Sequence, residues 1–430
     1  MLKKKNRRID GGKVKKYCVV FPGQGSQYVG MGKNLYDHNR IAKEVFDEAN
    51  DLLGYDLRKK CFEGDINELS QIENVQPAIL TTSVAAFQVF MQDVDMKPQV
   101  LLGHSLGEIT ALVCAGVIEF GDALRLVSVR GQLMGDSVIE KGIMIAIMGI
   151  EIEKLKEICK SISRQHHIVE ISNINSEDQI ILSGHVEAAE KAIHEIEELG
   201  GRSIRINTGN PFHCSLMSPV KNQLKQELLK YRYHDFVYPV ISNLDAKPYK
   251  GKEEVVERLS EQIVNSVQWK ASMDYLIEQE ISTMIELSPQ SVLRNLILTD
   301  VSGMIGYSYD DKYDYEAIKR VKYSMTNDLL ASKKKKRDFI QRCISGIVCT
   351  KNDNHSNTIL QNHQRVKELL SKIEKDDVEP SYEEMKLAFE SLIEVMQIKR
   401  VTEQEYQDRI CAILYETGFF QLFSEYMKWG

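Results

Sequence analysis

Apolar residues follow one another without a break in Tyr17-Cys18-Val19-Val20-Phe21, and Pro22 with the glycine-rich turn after it stops the run. A second run, Val100-Leu101-Leu102, leads straight into Gly103. Both predict strands. Between them, residues 41–53 and 76–91 carry apolar side chains at helical spacing. Another helix is expected after Gly103, and one more over about 121–138. This alternation of strand and helix implies an α/β domain with a largely parallel central sheet.

The texture changes at Ile143. Residues 143–147, 179–183 and 202–206 read as strands, and residues 151–166 and 186–199 as helices. A β-α-β-β-α-β-like order of this kind implies a small ferredoxin-like insertion over 141–207. The large domain, 16–140, then resumes over 208–310 with a helix after His213, a short strand around Val240-Ile241 and a strand over 283–287. From 311 to 430 the pattern is mostly helical. Ser381-x-x-Glu384 and Thr402-x-x-Glu405 fit capping boxes ahead of apolar-periodic runs, and Gly418 is placed to close the last helix. Residues 351–357 read as a loop. No repeat of solenoid length is present.

Composition narrows the class. With 430 residues and 43% hydrophobic content the chain is long enough for two or three ordinary globular cores. A formal net charge of -7 argues against a nucleic-acid-binding body, although a local basic patch for an acidic partner remains compatible with it. The eight cysteines are scattered without paired C-x-x-C units, so neither zinc nor a redox site is indicated, and Cys18 and Cys114 read as small buried hydrophobes. No signal peptide or membrane-length apolar run is visible, which predicts a cytoplasmic, reduced protein with no membrane association. Residues 1–15 read as a disordered leader.

The chemistry centres on Gly103-His104-Ser105-Leu106-Gly107, a G-x-S-x-G pentapeptide between a strand and a helix. Glycines two before and two after Ser105 permit the strained turn that lifts a serine hydroxyl above a sheet. The following helix aims its positive end and free N–H groups at the reacting centre. Without those flanks the same letters would describe an ordinary tight turn. Of the ten histidines, His213 is the best base, because Asn210-Pro211-Phe212-His213-Cys214 sits at a loop-to-helix junction. Spacing alone selects no acid to complete a triad. Phe21-Pro22-Gly23-Gln24-Gly25-Ser26-Gln27 is not a dinucleotide fingerprint, since Tyr28 stands where the last glycine belongs. It is either half of an oxyanion hole or a simple strand-to-helix turn.

Together these segments resemble the malonyl-CoA:acyl carrier protein transacylases and the related acyltransferases of polyketide synthases. The turn at Phe21 to Gln27, the Gly103-His104-Ser105-Leu106-Gly107-Glu108 elbow, Val129-Arg130-Gly131, Asn175-Ser176, Pro211-Phe212-His213 and the stretch 262–269 match in order and spacing, over residues 16–307. The resemblance implies an acyltransferase fold, with an α/β-hydrolase-like large domain and a ferredoxin-like small subdomain. It casts Ser105 as nucleophile and His213 as general base and then acid, oriented by the backbone carbonyl of Gln262 rather than by an acid. Backbone N–H groups of Gln24 and Leu106 would form the oxyanion hole, where one lost donor typically costs roughly 3–4 kcal/mol of barrier. Arg130 would hold a malonyl carboxylate with its fork, where the residue alone reads as a solvated helix arginine. Asn175, Phe212, Met134 and His104 fall among the implied substrate-binding positions, with the Phe212 ring leaving little room for an α-substituent.

Asn210-Pro211 and Cys214 depart from the commoner residues around the Phe-His pair, and Ser288 stands where Glu286-x-x-Pro289 usually holds glycine. Pro211 therefore keeps a small substituted malonyl unit open. The implied partners are malonyl-CoA and an acyl carrier protein, with coenzyme A and phosphopantetheine entering only as acyl carriers and no metal or other cofactor. The 311–430 extension is similar to tails of stand-alone acyltransferases that serve hybrid peptide–polyketide synthases in trans; it either docks a synthase or braces the body. The run Lys333-Lys334-Lys335-Lys336-Arg337 either attracts an acidic carrier or is a solvated charge run. Two rivals share the letters: an editing acyl hydrolase, which needs no carboxylate clamp, and a dead docking subunit, which would not need Ser105, His213 and Gln24 intact.

Overall fold

The two apolar runs form β1 (Tyr17–Phe21) and β2 (Val100–Gly103), paired in parallel with Cys18 opposite Val100 and Phe21 opposite Gly103. The chain then builds β3 (Gly142–Met148), β4 (Val169–Ile174), β5 (Ile180–His185) and β6 (Arg202–Ile206), and returns for β7 (Thr283–Glu286) and β8 (Ile305–Ser308). A computed structural model of the chain describes residues 16–94, 97–136, 142–164, 167–206, 210–300, 304–325, 328–349, 357–375, 380–417, 419 and 423, with the backbone alone at 94, 298–300, 319–334 and 357–358. The expected leader at 1–15, most of the loop over 351–357, and Gly418 lie outside these residues.

The large sheet has the order β2-β1-β7-β8 and is parallel throughout. Every residue of β1, β2 and β7 is buried, as parallel strands covered on both faces require. One side of the sheet packs Cys18, Val20, Leu102, Trp269, Met273 and Met284 into a continuous core. The helix Leu106–Cys114 leaves directly from β2, so a parallel strand points its C-terminal end at a helix N-terminus. The expected strand at Val240-Ile241 is only a pair of isolated bridges, Leu101 to Val240 and Ile241 to Pro248. Pro239 accepts from Leu101 N–H at 2.9 Å but has no N–H of its own to extend a ladder.

The small sheet has the order β4-β5-β3-β6, antiparallel throughout, with helices Ile152–Ile162 and Val186–Glu198 contributing to one core around Ile145, Leu155, Leu182 and Ile196. In chain order this is strand, helix, strand, strand, helix, strand, which is the ferredoxin-like arrangement. The helix expected over 151–166 stops at Ile162, because Ser163 turns extended and its hydroxyl exchanges hydrogen bonds with both backbone groups of Val169. The helix expected over about 121–138 runs Phe120–Gly135.

The chain divides into two units, one of them Lys15–Asp311 and the other containing Lys312–Gly430. In the latter, the helix Lys312–Met325 is followed by Asp328–Cys349, Asn357–Lys375, Tyr382–Ile398 and Glu403–Thr417, which surround a core of their own. Phe339 stacks on Phe423 with centroids 5.1 Å apart, and Phe389, Leu392, Ile410 and Leu414 fill the space around them. Ser381 and Glu384 form a complete capping box, and Thr402 Oγ1 accepts the N–H of Glu405 at 3.2 Å. The basic run falls inside the helix Asp328–Cys349; the side chains of Lys333 and Lys334 lie outside the described residues.

Candidate active site

β2 ends in a turn whose shape explains its glycines. Ser105 sits at φ 52, ψ -105, a region that non-glycine residues rarely enter. A Cβ on Gly103 would lie 2.0 Å from the Gly107 carbonyl, and one on Gly107 would lie 2.0 Å from the Phe21 carbonyl oxygen. The elbow is held from outside by Asn243. Its Oδ1 accepts the Ser105 N–H at 2.7 Å, and its Nδ2 donates to the Gly103 carbonyl at 2.7 Å.

The Ser105 hydroxyl donates to His213 Nε2 at 2.7 Å, and His213 Nδ1 donates to the Gln262 carbonyl at 2.9 Å. A carbonyl only accepts, so Nδ1 carries the proton and Nε2 is the free base. His213 is itself at φ 56. Burial pushes its pKa down to about 3, the Gln262 carbonyl opposes that shift, and the Arg130 charge adds to it. The base is therefore neutral at rest.

Arg130, on the helix Phe120–Gly135, is 2% exposed. Its Nη1 donates to Gln76 Oε1 at 2.8 Å, and its Nη2 to Ser105 Oγ at 3.2 Å and Gln262 Oε1 at 3.4 Å. All three acceptors are neutral, and no carboxylate among the described residues forms an ion pair with it. Burial lowers its pKa to about 10, which leaves it a cation at neutral pH. Its hydrogen-bond partners are thus all neutral, and the nearby Glu108 charge acts on it without an ion pair.

The turn after β1 approaches the elbow because Gly23 is bare: a Cβ there would meet the His104 carbonyl oxygen at 2.6 Å. Gln24 follows it, exposed, and Leu106 opens the helix after Ser105. Neither backbone N–H has an acceptor among the described residues, as donors awaiting an oxyanion should. His104 donates from Nε2 to Asn175 Oδ1 at 2.9 Å, tying the elbow to the small subdomain, and its ring lies 5.7 Å from Trp269. Phe212 is buried beside His213. Met134 stands one residue further back, with its sulfur accepting from Gln76 Nε2 at 3.6 Å, so it meets the site through Gln76. A groove of about 580 Å³ has His213 in its wall and the exposed Lys156 and Lys160 at its edge.

Four more residues build the site; the sequence names Glu108 only as the end of the elbow motif, and the other three not at all. Glu108, fully buried, accepts from Gln262 Nε2 at 2.7 Å, Asn243 N–H at 3.0 Å and Tyr249 OH at 2.5 Å. Gln76, Asn243 and Tyr249 complete the set. Two of them left a signal: Glu108 is the lone charge in Leu106–Cys114, and Gln76 is a fully buried amide in a largely apolar helix.

The acyl transferase domain family matches residues 18–304, two thirds of the chain. The chain belongs to that family. A malonyl CoA-acyl carrier protein transacylase of Bacillus subtilis is 36% identical to this acyltransferase over 370 residues, 86% of this chain and 92% of that protein. An alignment of that length exceeds everything before Lys312, so it reaches into the helical extension. The enzyme of that name from Escherichia coli is 38% identical over 282 residues, 65% of this chain and 91% of its own. Among solved structures, an acyl carrier protein S-malonyltransferase of Vibrio cholerae has a TM-score of 0.68 at 36% identity, covering 70% of this chain and 99% of its own. A malonyl-transacylase in complex with its type II polyketide acyl-carrier protein has a TM-score of 0.69 at 34% identity, covering 72% and 99%.

Proposed function

We propose that this acyltransferase moves a malonyl group from coenzyme A to the phosphopantetheine thiol of an acyl carrier protein. The observation that carries the reading is Arg130, buried 3.2 Å from the Ser105 hydroxyl with no carboxylate in ion-pair contact among the described residues. A malonyl thioester brings its carboxylate to that position.

His213 Nε2 removes the Ser105 proton as Oγ attacks the thioester carbonyl, and the oxyanion forms against the N–H groups of Gln24 and Leu106. Collapse breaks the carbon–sulfur bond, the His213 proton leaves with the coenzyme A thiolate, and malonyl-Ser105 remains. The carrier thiol then gives its proton to His213 and attacks the ester, and Ser105 recovers the proton as malonyl-carrier departs. His104 and Asn175 hold the elbow side of the acyl site, with Phe212 and Met134 behind the bound acyl group. The cycle needs no metal or resident cofactor and suits a cytoplasmic protein. Lys156 and Lys160, beside the groove at His213, suit an acidic carrier.

The relative that shares part of the helical extension and the polyketide complex among the structural neighbours support a stand-alone transferase that serves a synthase in trans. The reading is tested by self-acylation with malonyl-, methylmalonyl- and acetyl-CoA in the wild type and Arg130→Ala. The wild type should take malonyl, and Arg130→Ala should lose the preference. A preference that survives the substitution places the carboxylate elsewhere. An acyl hydrolase would accept neutral chains equally in both.

A further inference from the structure

Glu108 lies in the first turn of Leu106–Cys114, with no exposed surface, and is hydrogen-bonded to neither Ser105 Oγ nor His213. An isolated carboxylate in such a place is costly, and burial pushes its pKa up. What surrounds it is a set of donors: the Gln262 amide, the Asn243 N–H and the Tyr249 hydroxyl. Two of these partners serve the reaction. Gln262 supplies the carbonyl that orients His213 and the Oε1 that faces Arg130. Asn243 supplies the Oδ1 that holds the Ser105 N–H.

A glutamine amide has two ends, and a buried guanidinium tolerates only one of them. Gln262 Nε2 donates to Glu108 Oε2 at 2.7 Å and to the Ser105 carbonyl at 3.0 Å, which leaves Oε1 to meet Arg130. Turned over, the amide would press NH2 against the guanidinium and its oxygen against the Glu108 carboxylate, which would keep only the Asn243 and Tyr249 donors. We propose that Glu108 is a positioning residue: its buried carboxylate fixes the Gln262 amide and the Asn243 backbone, and through them sets His213, Arg130 and the Ser105 elbow together. Tyr249 closes the far oxygen, so the carboxylate has no freedom to rotate away. The inference rests on the malonyl reading only where acyl selectivity is its readout.

The test compares Glu108→Ala, Glu108→Gln and Gln262→Ala with the wild type. Two quantities are read: the malonyl-to-acetyl ratio of self-acylation, and the rate of Ser105 labelling by a fluorophosphonate probe, which is indifferent to acyl group. Glu108→Ala should slow both acylation and probe labelling by about tenfold or more and lower the acyl ratio. Glu108→Gln keeps an oxygen for Gln262 and Asn243 and turns its NH2 to the Tyr249 oxygen, so most of the rate and the ratio should return. Gln262→Ala keeps the backbone carbonyl but loses the amide, and adding Glu108→Ala to it should lower the ratio little further. Equal losses in the alanine and glutamine variants, or additive losses in the double variant, would overturn the proposal. Should Glu108→Ala fail to fold, the glutamine variant and the Gln262 pair still decide it. A wild type that takes probe but no malonyl defeats the proposed function instead, and the labelling rates still judge Glu108.

Discussion

Arg130 and His213 are two buried basic side chains in opposite charge states, because burial lowers each from a very different ordinary value, 12.5 for the guanidinium and 6.5 for the imidazole. Arg130 stays charged because its pKa falls only to about 10, whereas the His213 value near 3 keeps the base neutral. Losing the fork removes charge-assisted hydrogen bonds worth about 1.5–3 kcal/mol, so Arg130→Ala should cut the malonyl-to-acetyl preference by about 10- to 150-fold. Competition between the two thioesters, read by intact mass, checks this. Arg130→Lys keeps a charge without the fork and should recover only part of it.

His213 gives a pH prediction of definite sign. Its folded pKa lies below the ordinary value near 6.5, so acylation should hold as pH falls through 6.5 rather than halving there. The unfolded histidine takes a proton below 6.5 and the folded one does not, so this residue also costs stability as pH falls from 6.5 toward 3. A kcat/KM profile from pH 5 to 8 in a three-buffer system tests the first claim; an acid limb centred at 6.5 would refute it. At this scale the Ser105–His213 pair was legible, since a glycine-flanked serine and a histidine at a junction leave marks in sequence. Asn243 and Gln76 were not identified, and Glu108 was named in the elbow motif without a role. They act through other side chains, and their distances of 54 to 154 positions from the residues they hold are closed only by the fold.

The elements show how tightly backbone is used. Gly103 and Gly107 are packed against carbonyls where no Cβ fits, so Gly107→Ala should lower the melting temperature and abolish acylation together. A variant that melts lower yet acylates normally would separate the elbow's packing from its chemistry. Ser288 is a milder case. It holds φ 37, buried, with its carbonyl bound by the Ser83 hydroxyl. The sequence marked it as a serine where related chains usually have glycine, and the backbone supplies the reason for that preference. Ser288→Gly should raise stability by up to about 1 kcal/mol in denaturant titration. β1 and β2 were read from their unbroken apolar runs, whereas β4 (Val-Glu-Ile-Ser-Asn-Ile) and β8 (Ile-Gly-Tyr-Ser) were not placed, because polar residues and glycine interrupt them. The end of the helix Ile152–Ile162 was not placed either, because Ser163 ends it by hydrogen bonds to Val169 that periodicity does not reveal.

At the scale of the molecule, every residue of the site lies within Lys15–Asp311, and Lys312–Gly430 carries helices with a core of their own. A chain ending at Asp311 should therefore still label on Ser105 and still prefer malonyl. A large loss of labelling in a folded truncation would make the extension part of the catalytic body. No helix among the described residues is long and apolar enough to cross a membrane. The helical character of the extension was legible from its capping signals, but its job was not, because a synthase-docking helix and a bracing helix share one amphipathic pattern.

The central claim is a malonyl group carried on Ser105 between two thiols. It is tested most directly by intact mass after a brief exposure to malonyl-CoA, followed by a holo carrier protein, with Ser105→Ala alongside. The account predicts a malonyl adduct on the wild type, none on the variant, and movement of the adduct to the carrier. An adduct lost to water at the same rate with and without the carrier, or one that persists in Ser105→Ala, would contradict it.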